Sequence, residues 1–75
     1  MKEVLRNCGG MYILFEDGGA YVLSVMVGGI AMYEMRVRLN ATEVAGYRDE
    51  GEEFVGTLAD QIARDPGKYE ARAVR

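Results

Sequence analysis

Met11-Tyr12-Ile13-Leu14-Phe15-Glu16-Asp17-Gly18-Gly19-Ala20-Tyr21-Val22-Leu23-Ser24-Val25-Met26-Val27-Gly28-Gly29-Ile30-Ala31-Met32 decides the fold of this chain. Two apolar runs are separated and closed by Gly-Gly pairs. Glycine takes positive φ without a Cβ clash, which a two-residue hairpin turn demands at its centre. The stretch therefore reads as an antiparallel meander with strands at about 11–17, 20–27 and 30–39. A third pair, Gly9-Gly10, suggests a further strand over 3–8, although its alternation is poor. A short helix ended by Gly9 is the alternative there.

With Gly28-Gly29 as a two-residue turn, Val27 faces Ile30 and Val25 faces Met32. Side chains alternate along a strand, so this register sorts them into two faces. One face holds Val22, Ser24, Met26, Tyr33, Met35, Val37 and Leu39. The other holds Tyr21, Leu23, Val25, Val27, Ile30 and Met32, and turns polar at Glu34, Arg36 and Arg38. The Gly18-Gly19 turn, read the same way, adds Ile13 and Phe15 to the first face and Tyr12 and Leu14 to the second. A three-residue loop, Asp17-Gly18-Gly19, would flip that first strand.

Beyond Val44 the period changes. Val44, Tyr47, Gly51, Phe54, Val55, Leu58 and Ile62 recur at steps of three and four, as on one stripe of a helix. Asn40 suits the N-cap with Glu43 as its box partner, and Pro66 stops the helix. One long helix over about 41–65 follows, with two shorter helices split near Gly51 as the alternative. Residues 67–75 read as a polar tail that Tyr69 could pin down. The fold class is α+β: an antiparallel meander of three or four strands with one long C-terminal helix packed on one face, in a single domain spanning 1–75.

Seventy-five residues bury a small core, and domains of this size commonly need a disulfide, a metal or a partner chain. One cysteine and no histidine argue against the first two, so no metal or cofactor is expected. The absent histidine also leaves Cys8 without the usual activating base, and no catalytic constellation is recognisable. The chain reads as a non-enzyme. Its net charge of −3 disfavours nucleic acid and anionic membranes as partners. Arg36 and Arg38 beside Tyr12 and Tyr21 would suit stacked RNA bases, but Glu34 and the acidic balance stand against it. No leader or spanning segment is apparent, and a lone thiol fits a reducing cytoplasm.

If the helix covers the first face, then Tyr12, Leu14, Tyr21, Leu23, Val25, Val27, Ile30 and Met32 remain uncovered. That patch exceeds what a monomer normally exposes. The expectation is a small protein-interaction module that forms a homodimer through those eight residues, or binds another protein there. Folding of the two termini over the same face is the bland alternative. A small-molecule binder using the apolar sheet face is a second function. An acidic inhibitor or immunity-type protein, presenting Asp49, Glu50, Glu53 and Asp60 to a basic partner, is a third. The bland reading of those four is a solvated helix face.

Overall fold

The computed structural model describes residues 2–6, 11–27 and 33–73. Strands β1 (Lys2–Arg6), β2 (Tyr12–Asp17), β3 (Ala20–Val27) and β4 (Tyr33–Arg38) form one antiparallel sheet in chain order. Helices α1 (Ala41–Glu50), α2 (Glu52–Arg64) and α3 (Pro66–Tyr69) follow, then a short 3₁₀ turn over Glu70–Arg72. The α+β meander is therefore the fold. Cys8, the Gly9-Gly10 and Gly28-Gly29 pairs, Ile30 and Met32 lie outside the described residues.

The β2–β3 hairpin follows the sequence reading. Gly18 and Gly19 sit at φ 58° and 91°, both positive as a type I′ turn requires. Asp17 pairs with Ala20 and Leu14 with Leu23. The β3–β4 register does not follow it. Val27 pairs with Tyr33, not Ile30, a slip of three positions (33 − 30). An odd slip moves every β4 side chain to the other face. Met35 thus joins Val25, and Val37 joins Leu23, on the Tyr12–Leu14 side.

That parity makes one face apolar across three strands, and α2 covers it. Tyr12, Leu14, Leu23, Val25, Val27, Met35, Val37 and Leu39 pack with Val55, Leu58, Ala59 and Ile62 of α2 and with Tyr69. Leu14, Leu23, Val37, Val55 and Ile62 have no exposed surface. The helix thus lies on the opposite face from the one the two-residue turn predicted. Tyr12, Leu14, Leu23, Val25 and Val27 are core residues, and Tyr21 is half-buried against the same core. They do not form a dimer surface.

The predicted long helix is two helices. Gly51 breaks it at φ 70°, ψ −140°, a backbone conformation nearly confined to glycine. The N-terminal prediction holds: Asn40 Oδ1 accepts from Glu43 N at 2.8 Å, and Glu43 Oε1 accepts from Asn40 N at 3.0 Å. The two helices differ in kind. Val55, Leu58, Ala59 and Ile62 of α2 are buried, whereas α1 buries no residue fully. Val44 and Tyr47 of α1 only edge the core, Tyr47 meeting Tyr21 edge-on at 5.5 Å. Gly46 permits this packing, because a Cβ there would lie 2.5 Å from the Phe54 ring.

At Gly51 a Cβ would meet nothing within 4 Å, so any penalty there is one of backbone conformation rather than a clash. Gly51→Ala should cost about 1–3 kcal/mol in chemical denaturation. A synthetic chain with D-alanine at the same position should lose nothing. Equal losses for the two enantiomers would show that the break does not depend on positive φ.

Residues 66–73 are not a free tail. The chain passes Asp65, extended before Pro66 as that junction demands, and folds back. Tyr69 is buried and donates to Gln61 Oε1 at 3.3 Å, while Ala73 bridges Val37 at the outer edge of β4. Arg72 lies 5.3 Å from the Tyr69 ring centre and donates to both Glu43 oxygens at 2.7 and 3.1 Å. One carboxylate therefore caps α1 and anchors the C-terminal segment. Burial alone would push the Glu43 carboxyl up. The hydrogen bonds from Arg72 and the Asn40 N–H outweigh that and hold it below its ordinary 4.5. A depressed carboxyl stabilises the fold above its unfolded value and stops doing so as the pH falls through its folded value. Glu43→Gln should therefore cost on the order of 1 kcal/mol at pH 7, since Arg72 is one-third exposed. The gap from wild type should begin to narrow below about pH 4.5 and go on closing as the pH falls through the lowered folded value. Urea midpoints at pH 7 and pH 3 check this; a gap independent of pH would remove the ion pair from the account.

Candidate functional site

The face of the sheet that α2 does not cover is read directly from the register. One row across it runs Glu3, Phe15, Val22, Arg38 and the next runs Arg6, Ile13, Ser24, Arg36. In a third, Met26 N donates to Met11 O and Met26 pairs with Glu34. The first row carries opposite charges at its two ends.

A bulge in β1 builds one side of this face. Glu3 pairs with Phe15 and Leu5 with Leu14, leaving Val4 as the extra residue. An unbulged strand would put Glu3 and Arg6 on opposite faces, being three apart. The extra residue brings them to the same side, where Arg6 Nη2 donates to Glu3 at 2.8 Å. It also turns Leu5 inward to the core, which accounts for the poor alternation of this segment. The Arg6 guanidinium holds the Glu3 carboxyl below its ordinary value.

The opposite edge carries Glu34, Arg36 and Arg38. Glu34 receives Arg36 Nε at 3.1 Å and the hydroxyl of Ser24, which satisfies the one buried polar side chain of the central strand. Arg38 has no ion-pair partner among the described residues. Val22, though 1% exposed, stands outside the main core cluster. Its cross-strand neighbours on this face are Phe15 and Arg38. Ile13, Phe15 and Met26 are half-buried, so the centre of the face is apolar and both edges carry charges of both signs.

The arrangement separates the arginines from the tyrosines expected beside them. Tyr12 and Tyr21 are on the core side, away from Arg36 and Arg38, so these tyrosines form no platform with the two arginines. Asp49, Glu50, Glu53 and Asp60 are all exposed. Asp49 and Glu50 end α1, Glu53 opens α2, and Asp60 stands two turns further on, paired with Arg64 at 3.0 Å. Residues 40–73 carry eight acidic and four basic side chains, against one more arginine than acid among the five charged residues of the open sheet face. Among the described residues no three or more His, Cys, Asp or Glu side chains come together as a metal site, and no helix is long and apolar enough to cross a membrane.

Sequence reasoning missed this face because it placed the helix there. The signal that finds it is cross-strand matching: only the observed parity puts Tyr33, Met35, Val37 and Leu39 beside Leu23 and Val25 and carries the β4 charges to the face away from them. No family model, curated protein or solved structure matches the chain.

Proposed function

We propose that the chain is a small, non-enzymatic interaction module that works as a homodimer, its open sheet face being the contact. The observation that carries this is the row Glu3–Phe15–Val22–Arg38. A second copy turned about a two-fold axis along the strands lays its β4 over β1. Glu3 then meets Arg38 of the other copy at one end of the row, and Arg38 meets Glu3 at the other. The contact is isologous and self-complementary, as a two-fold interface must be. Phe15, Ile13 and Met26 supply the apolar centre, with charged groups as the rim. Sheets stacked this way sit about 10 Å apart. Association also enlarges the small core of an 8.3 kDa chain.

Sedimentation across a wide concentration range tests it. Phe15→Arg should weaken the dimer at least tenfold while circular dichroism stays native. Glu3→Arg and Arg38→Glu should each weaken it, and the double exchange should recover most of the loss, because opposite charges again face each other. A wild-type chain that is monomeric at millimolar concentration would overturn the proposal.

A further inference from the structure

β1 and β4 are the two edges of the sheet, and they differ. The β1 edge carries the bulge at Val4, one of the devices that discourage strand pairing. β4 pairs with β3 from Tyr33 to Arg38 with no irregularity. Leu39 N donates to Tyr21 O on β3. Backbone groups alternate sides along an antiparallel strand. Met35 and Val37 therefore also turn theirs to β3, while Glu34, Arg36 and Arg38 turn theirs outward. Such a row is a template for another strand.

Residues 70–73 stand over that row. Ala73 bridges Val37 in the antiparallel sense, and Arg72 Nη1 lies 3.5 Å from Arg38 O. The segment is latched by the Arg72–Glu43 ion pair, and the buried Tyr69 anchors its start in the core. Glu70 and Ala71 are exposed, and Arg72 and Ala73 are half-buried. The segment can therefore lift while Tyr69 stays in place.

We infer that residues 70–73 are a latched guard over a strand-pairing site, the outer edge of β4, whose occupant when the guard lifts is the same edge of a second copy. The β4 sequence is complementary to itself when laid antiparallel about Arg36. Glu34 then faces Arg38 of the second copy, and Arg38 faces its Glu34. Opposite charges directly across two strands stabilise the pairing. The two Arg36 side chains face each other, each held by its own Glu34 at 3.1 Å. On the core side Val37 exchanges Ala73 for Met35 of the second copy, and Tyr33, 53% exposed, meets Leu39. The positions whose backbone groups already point outward are the ones this register joins by hydrogen bonds. The contact is two-fold, with its axis at the sheet edge instead of the open face. Arg38 serves either contact, so the edge is tested with the face contact weakened.

The test uses the full chain carrying Phe15→Arg, followed by sedimentation, circular dichroism and amide hydrogen exchange. Adding Arg72→Ala should strengthen self-association at least tenfold. The amides of Glu34, Arg36 and Arg38 should gain protection as the concentration rises from micromolar to millimolar. Adding Arg36→Pro as well should return the chain to monomer. That change removes one outward N–H and leaves the bonds to β3 intact, as proline on an edge strand does. Glu43→Gln loosens the latch from its other side and should act in the same direction as Arg72→Ala, more weakly. If neither latch variant raises association, the proposal is overturned. Association that survives Arg36→Pro, or that brings no protection at those three amides, overturns the edge as its site. A wild-type monomer would remove the face contact and leave this test standing, so the two proposals fail separately.

Discussion

Val25→Arg should leave no folded chain under native conditions. Val25 is 3% exposed at the centre of the apolar sheet face, between Tyr12 on β2 and Met35 on β4. A guanidinium there is desolvated, and no acidic side chain belongs to the surrounding core cluster. An unpaired buried charge costs several kcal/mol. A domain of this size has a total stability of about 4–11 kcal/mol, so that one change consumes most or all of it. Met26→Arg, one residue along and half-buried on the other side of the sheet, should keep the native circular dichroism spectrum. The contrast is the test. If Val25 lay at a contact between copies, Val25→Arg would give a folded monomer instead, and the spectrum of that variant separates the two outcomes.

The meander was legible because its signal is local. Gly18-Gly19 specifies a turn whose two central residues need positive φ, and both have it. The cap at Asn40, the stop before Pro66 and the buried stripe of α2 are likewise local rules applied over a few residues. Parity within β3 was also legible: Leu23 and Val25 do face away from Val22 and Ser24 in their partners, since Leu23 enters the main core cluster and Val22 does not.

What failed was a local rule given authority over a global one. Reading Gly28-Gly29 as the whole connection fixed the β3–β4 register from two residues. It set Val25 opposite Met32 and brought Glu34, Arg36 and Arg38 onto the face of Leu23 and Val27. The observed pairing sets Leu23 against Val37 and Val25 against Met35, apolar against apolar, at the expense of the shortest turn. Burying both partners on one face outweighs turn preference, because an odd slip would expose every apolar side chain of β4. The candidate dimer face inverted with it. The residues that make the patch sticky are apolar, and the fold uses Tyr12, Leu14, Leu23, Val25 and Val27 as its own core, with Tyr21 packed against it. The C-terminal segment was opaque for another reason. Its order rests on Tyr69, Arg72 and Ala73 reaching Gln61, Glu43 and Val37, and the last two contacts span 29 and 36 residues (72 − 43 and 73 − 37), beyond any periodic pattern.

Leu58→Ala should destabilise the chain by about 2–5 kcal/mol, the cost of a large-to-small change in a packed site. Leu58 is 4% exposed and sits on the one helix that seals the sheet, within the cluster that holds Leu14, Leu23 and Val37. Its loss cannot be shared, because α1 buries no residue fully and offers no second apolar seal. In a domain of this length each kcal/mol moves the melting temperature by about 4–8 °C, so a fall of roughly 10 °C or more is expected. Glu53→Ala, on the exposed side of the same helix, should stay within about 0.5 kcal/mol. Ile62→Ala should match Leu58→Ala, one turn further along the same stripe, because Ile62 has no exposed surface. Thermal melts of the three variants decide the phase of α2 on the sheet. Equal losses at Leu58 and Glu53 would mean that the helix presents some other stripe to the core. The placement of the open sheet face, and with it the proposed contact, would then have to change.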